Sequence, residues 1–187
     1  MDAWDLHHRA VDEWLRRVEA VQDGQWSQDT PCTDWDVRAL VNHVVGEELW
    51  TRPLVEGGTV EEVGDRFDGD VLGEDPRAVA TRAAGDAAAA MDAKGPEGVL
   101  VALSFGDTPI AEYAMQLTAD HLIHGWDLAA ATGQDRALDA ELVSAVAAWF
   151  RGMEEMYRGA GAVGPRLGAG GDAQTELLAA FGRDASW

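Results

Sequence analysis

The sequence has only one cysteine and lacks a long apolar run, and each of these features restricts the class of protein that it can be. Its single cysteine, Cys32, cannot form an intramolecular disulfide, which fits a reducing compartment, and we expect a cytoplasmic protein. No stretch approaches the roughly 20 uninterrupted apolar residues that span a bilayer, which excludes a transmembrane protein. The acidic N-terminus lacks the basic and apolar regions of a secretory signal, so we expect mature protein there.

Basic residues are also scarce, with 14 lysines and arginines against 34 acidic residues and a formal net charge of -20. A field of this sign repels phosphate backbones and anionic lipid surfaces. We therefore expect neither nucleic acid nor a membrane surface as a partner.

Several catalytic motifs are missing from the sequence. It contains no phosphate-binding glycine loop, no GxSxG elbow, no HExxH pair and no CxxC pair. These absences argue against P-loop nucleotide hydrolases, serine hydrolases of the α/β type, zinc proteases of that signature and thioredoxin-like enzymes.

The hydrophobic pattern predicts an all-α fold. A length of 187 residues suits a single domain over residues 1–187. Apolar residues recur at spacings of three and four, which is the period of amphipathic helices. The predicted helices cover about 2–22, 35–53, 76–93, 110–131, 138–157 and a short final segment, 173–184.

The predicted boundaries rest on capping and turn residues. Thr33 or Asp34 can cap the second helix, and Pro53 marks its predicted end. Residues 56–75 are rich in glycine and acidic residues, so we expect an irregular loop with a short helical turn. The run VLVALSFGDTP is predicted to be extended and to turn at Gly106 and Asp107.

A polar stripe crosses the otherwise apolar fourth predicted helix. Glu112, Gln116, Asp120 and His124 recur every four residues. Four residues advance a helix by about 400°, so each side chain lies one turn above the last and only about 40° around the axis. The carboxylate of Asp120 and the imidazole of His124 can therefore project toward one metal ion.

A third metal ligand can come from the second predicted helix. His43 lies there among valines. If the second helix packs beside the fourth, it could bring the His43 imidazole to Asp120 and His124. Three protein ligands leave positions open for water and substrate, which is typical of a catalytic site. Glu47, one turn after His43, could be a further ligand or an acceptor that orients one. The alternative for each histidine is an ordinary hydrogen-bonded core or surface residue.

Other histidines and acids have simpler interpretations. We expect His7 and His8 to face solvent, and Glu48 to be a surface acid on the second helix. His121 is offset by about 100° from Asp120 and is expected to point away from the stripe.

Three further features near these segments remain open or structural. Asp127, three residues after His124, could orient the imidazole or cap a local backbone group. Cys32 lies near a helix start but has no basic neighbour in sequence, so we expect a structural thiol. Three tryptophans are interpreted as core aromatics: Trp35, Trp50 and Trp126.

Two internal blocks, TPCTDWDVRALVNHVVGEELW and DHLIHGWDLAAATGQ, with the terminal QTELLAAFGRD, resemble a known family. They are similar to the actinobacterial DinB-like metal-binding family, which is related to the N-terminal domain of mycothiol-dependent maleylpyruvate isomerase. The resemblance extends over nearly the whole chain. It implies a four-helix bundle of the DinB-like type, here with an additional helix and a short docked C-terminal segment.

The resemblance also implies a metal site. Its ligand positions match His43, Asp120 and His124, and the metal is usually zinc, with Ni²⁺ or Mn²⁺ as alternatives. The isomerase pattern has glutamate where this chain has the shorter Asp120, which alters the expected coordination. The implied cosubstrate is mycothiol, a low-molecular-weight thiol, and the implied substrate is an electrophilic small molecule.

The resulting hypothesis is a metal-dependent thiol transferase or isomerase, because a divalent cation lowers the pKa of a bound thiol. Candidate helpers are Glu47, Gln116 and Asp127. The same ligands would also suit a metal-dependent hydrolase. A third possibility is a non-catalytic metal- or small-ligand-binding bundle, including a homodimer formed through an apolar helix face, and a fourth is a metal-free helical protein.

Overall fold

Helices dominate the computed structural model, which describes residues 2–168 and 170–187. The α-helices of this part of the chain are α1 (Ala3–Glu19), α2 (Val37–Val55), α3 (Val60–Val63), α4 (Pro76–Lys94), α5 (Ile110–Thr132), α6 (Ala140–Phe150), α7 (Glu154–Gly159) and α8 (Ala173–Ala180). A short 3-10 helix covers Asp23–Gln25. None of the helices in the described residues is both long enough and apolar enough to cross a membrane.

One antiparallel hairpin accompanies the helices, so the chain is mostly helical with a small sheet. Strands β1 (Leu100–Leu103) and β2 (Gly106–Pro109) pair with Val101 opposite Thr108. The sequence predicts the extended run correctly but places its turn two residues late. Gly106 instead opens β2 with a φ of 119°, a backbone conformation that favours glycine.

The predicted limits of α4 and α5 are close to the observed ones. Asp75 caps α4 by accepting a hydrogen bond from the Ala78 amide, and Pro76 is its first residue. Gly133 ends α5 in the left-handed conformation at a φ of 73°.

The limits of α2 differ from the prediction. Its cap is Asp36, which accepts from the Ala39 amide, and neither Thr33 nor Asp34 serves as the cap. Pro53 does not end α2, which continues to Val55. A proline in the last turn removes one backbone hydrogen bond without affecting any later turn, so the helix tolerates it there.

The prediction of a single helix over 138–157 is wrong, because the structure has two helices there. The chain leaves helical geometry after Phe150, in a turn that contains Gly152, and resumes as α7. Glycine disfavours a helix interior. The break allows Tyr157 to fold back, with its ring 5.7 Å from that of Trp149 and 6.0 Å from that of Phe150.

The long helices pack against one another around the buried core. Helix α1 lies along α5, and α2 contacts both α4 and α5. Fully buried aromatics include Trp14 on α1 and Trp126 on α5. Helix α8 packs on α6, and the ring of Phe181 stacks on Phe150 at 4.0 Å. The contact of α2 with α5 is the one that positions the site.

The loop after α2 contains the short helix α3, as predicted, and its later part is anchored to α2. The amide of Asn42 donates to the Gly69 carbonyl at 2.9 Å and accepts from the Val71 amide at 2.8 Å. Arg38 donates to the Asp70 carboxylate at 2.8 Å. These contacts hold the loop against the helix face next to His43.

Candidate metal centre

Helices α2 and α5 bring together the three residues that the sequence predicts as ligands. One donor atom from each of His43, Asp120 and His124 lies within 4.8 Å of the other two. The Nε2 atom of His43 is 3.5 Å from Asp120 Oδ2, and that of His124 is 3.4 Å from Asp120 Oδ1. His124 is buried, while the other two are partly exposed, so the group lies at the edge of the core.

The polar atoms of this group fit a divalent cation better than they fit one another. Asp120 Oδ2 is buried and has no hydrogen-bond partner. An unpartnered buried carboxylate oxygen is costly unless something satisfies it. Two imidazole nitrogens and one carboxylate are a donor set that zinc and related divalent metals accept.

The electrostatics of the group also favour a cation. Burial opposes ionisation of Asp120, but the facing imidazoles of His124 and His43 outweigh it and hold the carboxyl pKa well below its usual range. Burial likewise opposes a charge on His124, yet Asp120 and Asp127 raise its pKa to about 9. The surroundings therefore attract positive charge, whether a proton or a metal ion supplies it.

Asp127 orients the His124 ring. Of the two roles open to it from the sequence, the structure has the first: His124 Nδ1 donates to Asp127 Oδ2 at 3.0 Å. This bond directs Nε2, the other ring nitrogen, toward Asp120. A second contact in turn holds Asp127, because Arg183 Nη2 donates to its Oδ2 at 2.8 Å.

The role of Arg183 could not be predicted from local sequence. This residue lies 56 residues beyond Asp127, just after α8, and the only local signal is a cation next to an apolar terminal helix. The same guanidinium lies near Cys32. Burial raises the pKa of the Cys32 thiol, and Arg183 only partly opposes that rise, so the thiol is disfavoured as a nucleophile.

The three tryptophans occupy different settings. Trp126 is a buried core residue, as predicted. Trp35 packs on the core but also covers the site, with its ring centroid 4.6 Å from His43 and 5.5 Å from His124. Trp50 is partly buried beside Phe67.

Two of the candidate helpers lie beside the donor group. Among the described residues, no fourth histidine, cysteine or acidic side chain joins the three donors. Burial is the main cause that raises the pKa of the Glu47 carboxyl. The charge of Asp120 raises it further, and the imidazoles of His43 and His124 partly oppose the rise. Gln116 lies one turn before Asp120 on α5, and its Nε2 atom is buried without a hydrogen-bond partner.

The predictions for His7 and Glu48 are wrong, since both side chains are buried. Glu48 Oε1 accepts a hydrogen bond from His121 Nε2 at 2.9 Å, so His121 points away from the donor group, as expected. His8 is partly exposed and contacts Asp92 at 3.0 Å. The faces of α1 and α2 that carry His7 and Glu48 meet α5, and only the packing of these helices determines this burial.

Comparison with known proteins places the chain in a family. Two uncharacterized proteins of Mycobacterium tuberculosis, from strains CDC 1551 / Oshkosh and ATCC 25618 / H37Rv, are each 34% identical over 167 residues. The aligned region covers 86% of this chain and 85% of each relative. No solved structure shows significant similarity. Residues 7–129, which include all three donors, match the sequence pattern of the mycothiol maleylpyruvate isomerase N-terminal domain family. The chain therefore belongs to that family.

Proposed function

We propose that this chain binds one divalent metal ion through His43, Asp120 and His124. We further propose that it acts as a mycothiol-dependent transferase or isomerase on an electrophilic small molecule. The observation that carries the proposal is the convergence of three donor atoms within 4.8 Å, inside the residues that match the family.

The donor set supports zinc as the metal, with Ni²⁺ and Mn²⁺ as alternatives for the same nitrogen and oxygen ligands. When bound, the cation would lower the pKa of a coordinating thiol, so that thiolate is available at neutral pH. Two neutral imidazoles and one carboxylate would leave the ion with a net positive charge.

The neighbours of the donor group have separate proposed tasks. Asp127 holds the His124 ring through Nδ1, and Trp35 shields one side of both imidazoles from water. The raised pKa of Glu47 suits its carboxylate for accepting the proton of the incoming thiol. The free Nε2 of Gln116 is proposed to donate to an oxygen of the electrophile.

The same arrangement favours a catalytic over a filled site. A purely structural metal site takes four protein ligands, whereas catalytic sites keep one position for water or substrate. The described residues supply three donors, and Glu47 lies outside that group. This observation supports an enzyme over the non-catalytic metal-binding bundle.

We also propose that residues 1–187 form a single domain with the four-helix bundle of DinB-like proteins. The mutual packing of α1, α2, α4 and α5 supports this architecture. The contact of α8 with α6 supports a C-terminal segment docked on the same body.

Metal content tests the site directly. Untagged protein, purified without chelator, is analysed for metals together with His43→Ala, Asp120→Ala and His124→Ala. We expect near-stoichiometric divalent metal in the wild type and loss in all three variants. His8→Ala is the matched control, since His8 lies outside the group on α1, and it should retain the metal. A folded wild type that stays metal-free after incubation with zinc, nickel and manganese would overturn the proposal.

Turnover tests the chemistry. Metal-loaded protein is mixed with mycothiol and a panel of electrophiles, including maleylpyruvate, and loss of substrate is followed with and without the thiol. We expect at least one reaction that needs both mycothiol and the metal and that Asp120→Ala abolishes. Full metal occupancy without thiol-dependent turnover of any panel member would favour the non-catalytic bundle. Turnover that needs the metal but not the thiol would favour a hydrolase.

A further inference from the structure

We infer that Arg183 is a positioning residue of the metal centre, which acts through Asp127 to set the orientation of His124. The inference rests on the proposed metal site. It extends that site beyond the residues that match the family, since Arg183 lies more than 50 residues after the match ends at residue 129.

The His124 ring is held through the nitrogen that does not face Asp120. An imidazole that ligates a metal through one nitrogen usually donates its other N–H to a carboxylate or carbonyl, which fixes both tautomer and ring angle. His124 follows this pattern, because its Nδ1 donates to Asp127 Oδ2 at 3.0 Å while its Nε2 faces Asp120 Oδ1 at 3.4 Å. A rotation about the bond to the ring would separate Nε2 from Asp120.

Arg183 balances the buried charge of Asp127. Its side chain has no solvent exposure, so its carboxylate needs partners within the protein. Arg183 supplies them: Nη2 donates to Oδ2 at 2.8 Å, and Nε lies 3.2 Å from each oxygen. When His124 is a neutral metal ligand, Arg183 is the cationic partner of Asp127 among these contacts, and without it the acceptor of the His124 bond would be a buried, unbalanced carboxylate.

The segment after α8 holds Arg183 in place beside Asp127. Phe181 anchors the segment by stacking on Phe150 at 4.0 Å, and its carbonyl accepts from Arg183 Nη1 at 2.9 Å. Gly182 lies between them with a φ of 75°. A Cβ there would be 3.2 Å from the Pro165 carbonyl oxygen, so a glycine suits both the turn and the close approach.

The burial of this contact distinguishes it from the surface ion pairs of the protein. The Arg183 side chain is 12% exposed, whereas those of Arg38 and Asp70 are 35% and 57% exposed. Exposed ion pairs contribute little to stability and leave both side chains free to move. A buried bidentate contact between a guanidinium and a carboxylate fixes the orientation of both side chains. The segment after α8 therefore completes the support of His124.

Zinc affinity and the Nδ1 proton of His124 test the inference in the intact 187-residue chain. Zinc affinity is measured by competition with a chromophoric chelator, and the Nδ1 proton by nitrogen-resolved NMR. For Arg183→Gln we expect zinc binding weakened by about 10- to 100-fold, as for other residues that support metal ligands. We also expect loss of the His124 Nδ1–H resonance through faster exchange with water.

A double-mutant cycle shows whether Arg183 acts through Asp127. Asp127→Asn alone should weaken zinc binding, and adding Arg183→Gln to it should cause no further loss. Additive losses from the two changes would overturn the inference. The double variant also removes both buried charges, so it should fold even where Arg183→Gln alone is unstable.

Arg158→Gln is the matched control for a purely structural role. Arg158 contacts the same segment, since it donates to the carbonyls of Ala180 and Gly164, but neither the stacking of Phe181 on Phe150 nor the ion pair of Arg183 with Asp127 involves it. We expect it to lower the melting temperature but to leave zinc affinity and the Nδ1–H resonance unchanged. Equal effects of Arg158→Gln and Arg183→Gln on both readouts would overturn the inference. If the wild type binds no zinc, the proposed function fails, and the NMR signal of metal-free protein still tests the positioning by Arg183.

Discussion

Replacing the buried His7 by leucine should make the protein more resistant to acid. His7 is 3% exposed, and neither ring nitrogen has a hydrogen-bond partner. Burial, assisted by the neighbouring His121 and His8, lowers its pKa from 6.5 to about 3. The unfolded chain therefore binds a proton at pH 5 that the folded chain does not bind.

The size of the effect follows from this difference in pKa. Because the folded-state pKa lies below the unfolded value, the free energy of unfolding falls as the pH drops below 6.5. Each pH unit costs about 1.4 kcal/mol, so His7 should remove about 2 kcal/mol of stability between about pH 7.5 and about pH 5. This value is insensitive to the folded pKa, since pH 5 lies well above it.

Urea unfolding at the two pH values provides the assay. We expect His7→Leu to lack this share of the acid loss, and to be no less stable than the wild type near neutral pH, because it removes two unpartnered nitrogens. His8→Leu is the control on the same helix. Its side chain is 44% exposed, so its effect should stay below about 1 kcal/mol at either pH. An equal loss of stability in wild type and His7→Leu would refute the assigned burial of His7.

Three further predictions concern stability. Glu48→Leu should cost about 3–5 kcal/mol in urea unfolding because it leaves His121 buried without its partner, and adding His121→Leu should recover most of the loss. Phe181→Ala should cost about 3–5 kcal/mol and also weaken zinc binding, because it releases the segment that carries Arg183; normal zinc affinity would contradict this coupling. Gly133→Ala should lower the free energy of unfolding by at least about 1 kcal/mol, because the backbone at Gly133 has a φ of 73°. Gly85 lies inside α4 and is free of close contacts, so Gly85→Ala should raise the free energy of unfolding by about 0.5–1 kcal/mol in thermal or urea unfolding.

The helical segments and the donor stripe could be predicted from local pattern alone. The spacing of apolar residues predicts where α1, α2 and α4 lie, because each of these helices buries one face. Helix α5 is buried on all sides over 121–130, and its apolar composition predicts it. The four-residue spacing places Asp120 and His124 on one face of α5, since helix geometry requires it. Gly133 ends α5 for an equally local reason, its left-handed backbone.

The break between α6 and α7 could not be predicted from the same pattern. Apolar residues continue at helical spacing through Met153, so the period alone favours one helix over 138–157. The contacts of Tyr157 with Trp149 and Phe150 accompany the turned arrangement. Such contacts depend on the fold of the C-terminal region and are invisible to a local window.

The sequence by itself therefore determined the positions of α1, α2, α4 and α5, the acidic character and the pair of donors on α5. Only the tertiary structure decided which side of α2 faces that pair, and so brought His43 to within 3.5 Å of Asp120. It also buried Glu48 against His121 and carried Arg183 to Asp127 across 56 residues. The physical reason is that helical period reports only the faces of one helix. The contacts of Glu48 with His121 and of Asp127 with Arg183 join separate segments, so they form only when those segments pack.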